Sequence, residues 1–134
     1  MAEITLTTAT RNSASATMLH GVQWGEAMTE ARMVYKKSAT GAYWIAHCET
    51  SAATADVVGI AVDGGAVDTF GSILTEGPVV VDSSLTVAEY YVLATDGKIQ
   101  PVSDLATNDY ICGLGFATAT NVLDLLITYT GTQK

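Results

Sequence analysis

The chain has 134 residues, enough for one domain with its own core but too few to fit two comfortably. Hydrophobic residues make up 49% and charged residues 15%, which excludes a disordered chain. The net charge of −8 argues against nucleic acid as a partner, because phosphate binding needs clustered Lys and Arg. The abundance of alanine, threonine and valine favours pleated, tightly turned structure over a helix bundle.

Residues 1–24 are predicted to form an N-terminal arm and a connection. The stretch from Ile4 to Leu6 alternates like a short strand, whereas residues 8–17 offer no bulky side chain to bury. We therefore expect residues 1–18 to be a mobile or extended segment that becomes ordered on a partner. The predicted partner contacts in the arm and connection are Ile4, Leu6, Arg11, Leu19 and Trp24.

Residues 25–134 are predicted to form a β-domain. Strand-like runs recur about every ten residues with turn residues between them, and no helical period competes. The pair Asp96–Gly97 is a strong hairpin signal, and Asn121 suits a second turn. This spacing predicts a small all-β domain, an antiparallel β-barrel or sandwich carrying the extended arm. The predicted strands cover residues 32–36, 42–48, 57–62, 72–77, 78–82, 90–94, 98–102, 110–117 and 122–129.

The sequence also contains an internal echo. Residues 28–34 resemble residues 85–91, since both read apolar-Thr-x-Ala before a strand, and each copy continues to a turn at Gly41 or Gly97. The echo continues from residues 57–61 to residues 111–115, at a smaller offset. Two copies of one β-unit would pack as a pseudo-symmetric barrel. Chance similarity in a chain rich in Ala, Thr and Val is the alternative.

No motif in the sequence indicates catalysis. His47 and Cys48 adjoin, but neighbours in a strand point to opposite faces, so the imidazole is badly placed to deprotonate the thiol. The cysteine spacing of a zinc site is absent, and the glycines at 113 and 115 lack the third glycine and the helix of a phosphate-binding loop. We therefore predict no catalytic residue, no cofactor and no metal.

The remaining candidates also favour structural roles. The aspartates at 63, 68, 82, 96, 104 and 109 stand in predicted turns, where they cap the backbone. Trp24, Trp44, Tyr90 and Tyr91 are expected to be core, with a sugar-binding platform as the alternative. The chain begins without an apolar signal region and has no run long enough to span a membrane, so we expect a cytosolic origin with two reduced, buried thiols.

A series of short strand-and-turn sequence motifs runs from about residue 25 to residue 131. Each motif is common by itself, and the order of the motifs is distinctive. The series consists of Tyr35, Gly41, Tyr43 and Trp44, followed by residues 52–61, 76–79, 85–86, 90–92, 96–101, 114–117 and 127–131. With its motifs in this order, the sequence resembles the capsid decoration (cement) and head-fibre proteins of tailed bacteriophages. Those families carry similar A-x-x-V-V-G-I-A, Y-Y-V, D-G-K-I-x-P and L-G-x-A runs.

The resemblance implies a non-enzymatic virion protein. Members of these families look like small β-domains, often trimeric, that sit on the outer capsid surface and bridge neighbouring capsid subunits. The implied partners are the major capsid protein and other copies of the chain, with no nucleic acid and no membrane. The implied location is the outer surface of the virion, after synthesis in the host cytoplasm. Residues 1–24 lie outside the resemblance, so docking through the arm is inferred from the residues alone.

Two other functions remain open from the sequence. A receptor- or glycan-binding module of a phage fibre or tail would expose aromatic side chains near Trp24 or Trp44. A small enzyme would need a pocket around His47 and Cys48. The decoration protein is the favoured interpretation.

Overall fold

One antiparallel sheet organises the chain. The computed structural model describes residues 3–11 and 15–134. Within these residues the strands are β1 (Ala9–Arg11), β2 (Thr17–Gln23), β3 (Met33–Lys36), β4 (Tyr43–Ile45), β5 (Val57–Ala61), β6 (Phe70–Val81), β7 (Tyr90–Leu93), β8 (Ile99–Pro101), β9 (Tyr110–Ala119) and β10 (Val122–Gln133). Two 3₁₀ turns cover Thr95–Gly97 and Val102–Asp104. The sheet curls into a half-barrel, which confirms the prediction of a small all-β domain.

Strand β6 is the centre of the sheet because both of its edges are used along its length. One edge pairs with β2 and then with β1, and the other edge pairs with β5 and then with β10. The sequence predicted two short strands here, over 72–77 and 78–82, separated at Gly77–Pro78. The structure has one twelve-residue strand. Pro78 has no amide proton, and it falls between the segments of β6 that pair with β1 and with β2.

The arm lies against its own domain. β1 and β2 pair with β6, and the side chains of Ala9 and Ala16 are only 2% and 4% exposed. The prediction that this segment has nothing to bury and needs a partner is therefore wrong, because its alanines fit a close approach to β6. A Cβ on Gly77 would lie 2.7 Å from the Cα of Ala16. Residues 1–2 and 12–14 of the predicted arm lie outside the described residues.

Carboxylates of the domain bind the backbone of the arm. Asp82 Oδ1 accepts hydrogen bonds from the amides of Thr7 at 2.9 Å and Thr8 at 3.2 Å, and Asp82 Oδ2 accepts one from the Thr7 hydroxyl. The Thr7 and Thr8 bonds lower the pKa of Asp82 from 3.8 to about 2. Glu30 accepts a further bond from the Ala9 amide at 3.0 Å. These bonds satisfy donors that an unpaired segment would otherwise leave to water.

The sheet order shows the two-copy arrangement. From one end it reads β4-β3-β5-β6, and from the other end it reads β8-β7-β9-β10. Val34 pairs with Gly59 and Tyr91 pairs with Gly115, and both registers shift immediately afterwards. The sequence similarity aligns Gly59 of the first copy with Gly113 of the second. The strand register instead makes Gly115 the equivalent of Gly59. We call β3, β4, β5 and residues 70–76 of β6 unit 1, and β7 to β10 unit 2.

The connections into β3 and β7 repeat as well. Ala31 and Ala88 both have a φ of 70°, a conformation that is uncommon for alanine. The Ala31 amide donates to the Ala61 carbonyl at 2.7 Å, and the Ala88 amide donates to the Ala117 carbonyl at 2.8 Å. Matching backbone strain and matching hydrogen bonds argue against chance similarity between the two copies.

Both predicted hairpins are present. β7 and β8 pair around Asp96, which has a φ of 53°, as a tight Asp-Gly turn requires. β9 and β10 pair around Asn121. Gly59 permits the close approach expected of it, because a Cβ there would lie 2.6 Å from the Leu74 carbonyl oxygen.

Unit 1 is buried on both faces of the sheet. Leu74 packs in the larger core cluster with Met33 and Ile60, whereas its neighbour Ile73 packs in a smaller cluster with Trp24. Adjacent residues of a strand point to opposite faces, so the two clusters lie on opposite sides of β6. The segment around Trp24 therefore covers a face that the larger core does not reach.

Gly77 is expected to limit the stability of the fold. Gly77→Ala combines a φ of 107° with a clash against Ala16, and we expect a loss of about 3 kcal/mol in the free energy of unfolding. Gly41→Ala is the matched control, since its φ is 73° and nothing lies within 4 Å of the added Cβ. We expect about 1 kcal/mol for the control. Urea unfolding measures both, and equal losses would contradict the close approach of Ala16.

The Asp82 bonds predict a loss of stability in acid. The lowered pKa means that this contribution is fully present above pH 3.8 and disappears as the pH falls to about 2. Asp82→Asn should therefore lower the melting temperature at neutral pH, and the difference from the parent protein should shrink towards pH 2. Asp68→Asn serves as a control for a turn aspartate. A melting-temperature difference that does not change with pH would count against the bonds to Thr7 and Thr8.

Candidate functional site

The side chains of His47 and Cys48 contact other groups rather than each other. They lie after the end of β4, in the following loop, rather than in the predicted strand. The Nδ1 atom of His47 is 3.2 Å from the Asp96 amide nitrogen and 3.2 Å from Glu49 Oε1. The Cys48 thiol donates to Glu49 Oε2 at 3.7 Å. Burial, together with the nearby Asp109 and Glu49 carboxylates, raises the pKa of Cys48, which opposes formation of a thiolate.

The thiol of the second cysteine, Cys112, is also buried. Burial raises the pKa of Cys112 from 9.0 to about 11, and both thiols are free and buried as expected. Residues 3–11 and 15–134 contain no group of three or more His, Cys, Asp or Glu side chains that could hold a metal ion. No pocket opens among the residues that the structure describes.

The predicted arm contacts separate into core and surface residues. Leu6 and Trp24 are 1% and 0% exposed, so in this conformation their side chains serve the chain's own core rather than a partner. Ile4 is half-buried and packs against the larger cluster. Leu19 and Arg11 are exposed on the strands that pair with β6, and contact with a partner remains a prediction for them.

The aromatic residues also divide. Trp24 and Tyr91 are core, as expected. Trp44 is half-buried, and the Lys37 ammonium lies 4.7 Å from the centre of its ring. Tyr90 is half-buried; it packs against the larger core cluster and its ring contacts Phe116.

Exposed apolar side chains gather on one face of β10, β9 and β7. The register places Tyr90 opposite Phe116, Phe116 opposite Asp124, and Asp124 opposite Pro78, so these side chains form one row across four strands. Leu126 lies two residues beyond Asp124 and therefore shares the face. We call this surface the outer face; its residues are Glu76, Pro78, Tyr90, Phe116, Asp124 and Leu126.

The apolar part of the outer face is preorganised. The rings of Tyr90 and Phe116 meet edge to face, with centroids 4.8 Å apart and planes at 64°. A Cβ on Gly113 would overlap the Tyr90 hydroxyl, so the missing side chain makes room for that ring. Phe116 and Leu126 remain 54% and 62% exposed. The sequence did not single out either residue, because only the register shows that they share a face.

Two carboxylates complete the outer face. Glu76 pairs in register with Leu126, and Asp124 pairs with Phe116. Both carboxylates are exposed, and within the described residues neither forms a hydrogen bond or an ion pair. The row contains no Lys, Arg or His. The outer face is thus apolar and negatively charged, a composition suited to a partner that carries both apolar and basic side chains.

Comparison of the chain with protein families, curated proteins and solved structures finds no match. In the part of the chain that the structure describes, no helix has the length and apolar character needed to cross a membrane. The outer face, with its exposed Phe116 and Leu126, is the basis for a functional proposal.

The raised thiol pKa values predict inert cysteines. We expect Cys48 and Cys112 to resist a thiol reagent such as DTNB in the native protein at neutral pH, because both are buried and protonated. After unfolding in guanidinium, both should react fully. Rapid reaction of either thiol in the native protein would contradict this environment.

Proposed function

We propose that this protein is a non-enzymatic structural component of a tailed-phage virion, which binds the outer capsid surface and stabilises the shell by bridging capsid subunits. The outer face carries the proposal, because Phe116 and Leu126 are 54% and 62% exposed on neighbouring strands of one sheet face. Exposed apolar patches of this kind are typical of surfaces that bind another macromolecule. The resemblance of residues 25–131 to decoration proteins suggests the major capsid protein as that partner.

The chemistry of the chain supports a structural role. Glu49 lies beside both His47 and Cys48, and the raised pKa of Cys48 disfavours a nucleophilic thiolate. The net charge of −8 opposes direct contact with packaged DNA. A body built from one curled sheet, with its N-terminal segment bound along β6, suits a protein that must keep its shape under load.

The proposal includes a homotrimer on the shell. Several copies placed around a symmetry axis convert weak individual contacts into strong overall binding. The mass of such a trimer is about 42 kDa, three times the 14.0 kDa of one chain. Arg11 and Leu19, exposed on the arm, provide a second surface for contact with a neighbour.

The structure offers less support for a receptor- or glycan-binding module. That function needs an exposed aromatic ring near Trp24 or Trp44. Trp24 is 0% exposed, and the Lys37 ammonium lies over the ring of Trp44. The most exposed aromatic side chains are instead those of Phe70, a single ring opposite Gln23 of β2, and Phe116, which lies beside a carboxylate and an aliphatic side chain.

Binding to empty shells tests the proposed function. The purified protein should sediment with DNA-free, expanded shells of the phage that encodes it, prepared without the protein, and should saturate at a fixed ratio to the capsid protein. It should also raise the temperature at which the shells fall apart, because bridging contacts must be broken first. Shells of an unrelated tailed phage are the control. Absence of saturable binding to its own shells would overturn the proposal.

A further inference from the structure

We infer that the outer face is the surface that contacts the shell, and that it takes a capsid-protein surface in which an apolar side chain stands beside a lysine or arginine. This inference rests on the proposed function. It adds the location of the contact, the chemistry of the partner and the residues that decide the affinity.

The internal repeat supplies the first argument. In unit 1 both faces of the sheet are covered, by the larger cluster on one side and by the smaller cluster around Trp24 on the other. In unit 2, Leu123 and Ala117 pack in the larger cluster. Their strand neighbours Asp124 and Phe116 point to the opposite face, where Phe116 is 54% exposed. Among the described residues, unit 2 thus lacks the layer that the segment around Trp24 supplies to unit 1.

The negative charge of the outer face indicates which kind of partner fits it. Asp124 and Glu76 lie in the outer face without a partner among the described residues. A second copy meeting this face through a twofold axis would bring carboxylates against carboxylates, which disfavours self-association at this surface. A basic side chain flanking an apolar one would satisfy Asp124 and bury Phe116 in the same contact.

The edge-to-face contact supplies the third argument. The ring of Tyr90 is held over Gly113 and against Phe116, so the anchor needs little ordering when a partner arrives. Rigid aromatic anchors surrounded by polar groups carry much of the affinity in protein interfaces. Leu126 extends the apolar area to the next strand, beside Glu76.

Substitutions on and off the outer face test the apolar part. We expect the double variant Phe116→Asp, Leu126→Asp to bind empty expanded shells at least about tenfold more weakly than the parent protein in sedimentation titrations. Phe70→Asp is the matched control, because Phe70 is 68% exposed on β6 but lies outside the outer face. The control should bind within about twofold of the parent. Melting curves check that each variant is folded.

A charge reversal tests the basic part of the partner. Asp124→Lys should weaken binding to the shells, and raising the salt concentration should weaken the parent protein more than this variant. Asp68→Lys makes the same charge change in the exposed loop before β6 and should leave binding unchanged. The Asp124 variant also decides the question if the double variant does not fold.

The outcomes separate the two proposals. If the parent protein does not bind the shells, the capsid function is overturned and the named partner with it. If the parent binds and both Phe116→Asp, Leu126→Asp and Asp124→Lys bind equally well, the outer face is not the contact, although the capsid function stands. If light scattering shows that the folded double variant has lost an oligomer that the parent forms, the outer face lies between copies, which also overturns the inference.

Discussion

The use of both edges of β6 is the constraint on which the rest of the structure depends. A strand with an open edge attracts other chains, and here β2 and β1 pair along one edge while β5 and β10 pair along the other. Because the N-terminal segment supplies part of this pairing, it belongs to the domain. The close approach at Gly77 and the carboxylate of Asp82 then follow as local requirements of keeping that segment in place.

The internal repeat explains why one surface stays open. The two units share a strand pattern, but they contribute differently to the core. Unit 1 is covered on one face by the larger cluster and on the other by the segment around Trp24. Unit 2 buries Leu123 and Ala117 and turns Phe116 to solvent. Among the described residues, unit 2 has no layer comparable to the segment around Trp24, and the outer face is the surface that this leaves open.

The potentially reactive side chains and the exposed charged side chains lie in different environments. Cys48 and Cys112 lie where burial keeps them protonated, and His47 contacts a backbone amide and a carboxylate. By contrast, Asp124 and Glu76 are exposed and unpaired within the described residues, next to the exposed side chains of Phe116 and Leu126. The exposed apolar and charged side chains of the outer face lie together on one surface of the sheet, where shape and charge decide which partner binds.

The sequence by itself determined the fold class and both hairpins, because turn residues and strand periodicity are local signals. It suggested two copies of one β-unit but left chance similarity as the alternative. It also indicated that Cys48 and Cys112 are buried. It misplaced the arm, since alanines at 9 and 16 look too small to anchor a strand until β6 provides a groove of matching size. Only the tertiary structure decided that Phe116, Asp124 and Leu126 share a face, because side chains from separate strands meet through register, which no local pattern encodes.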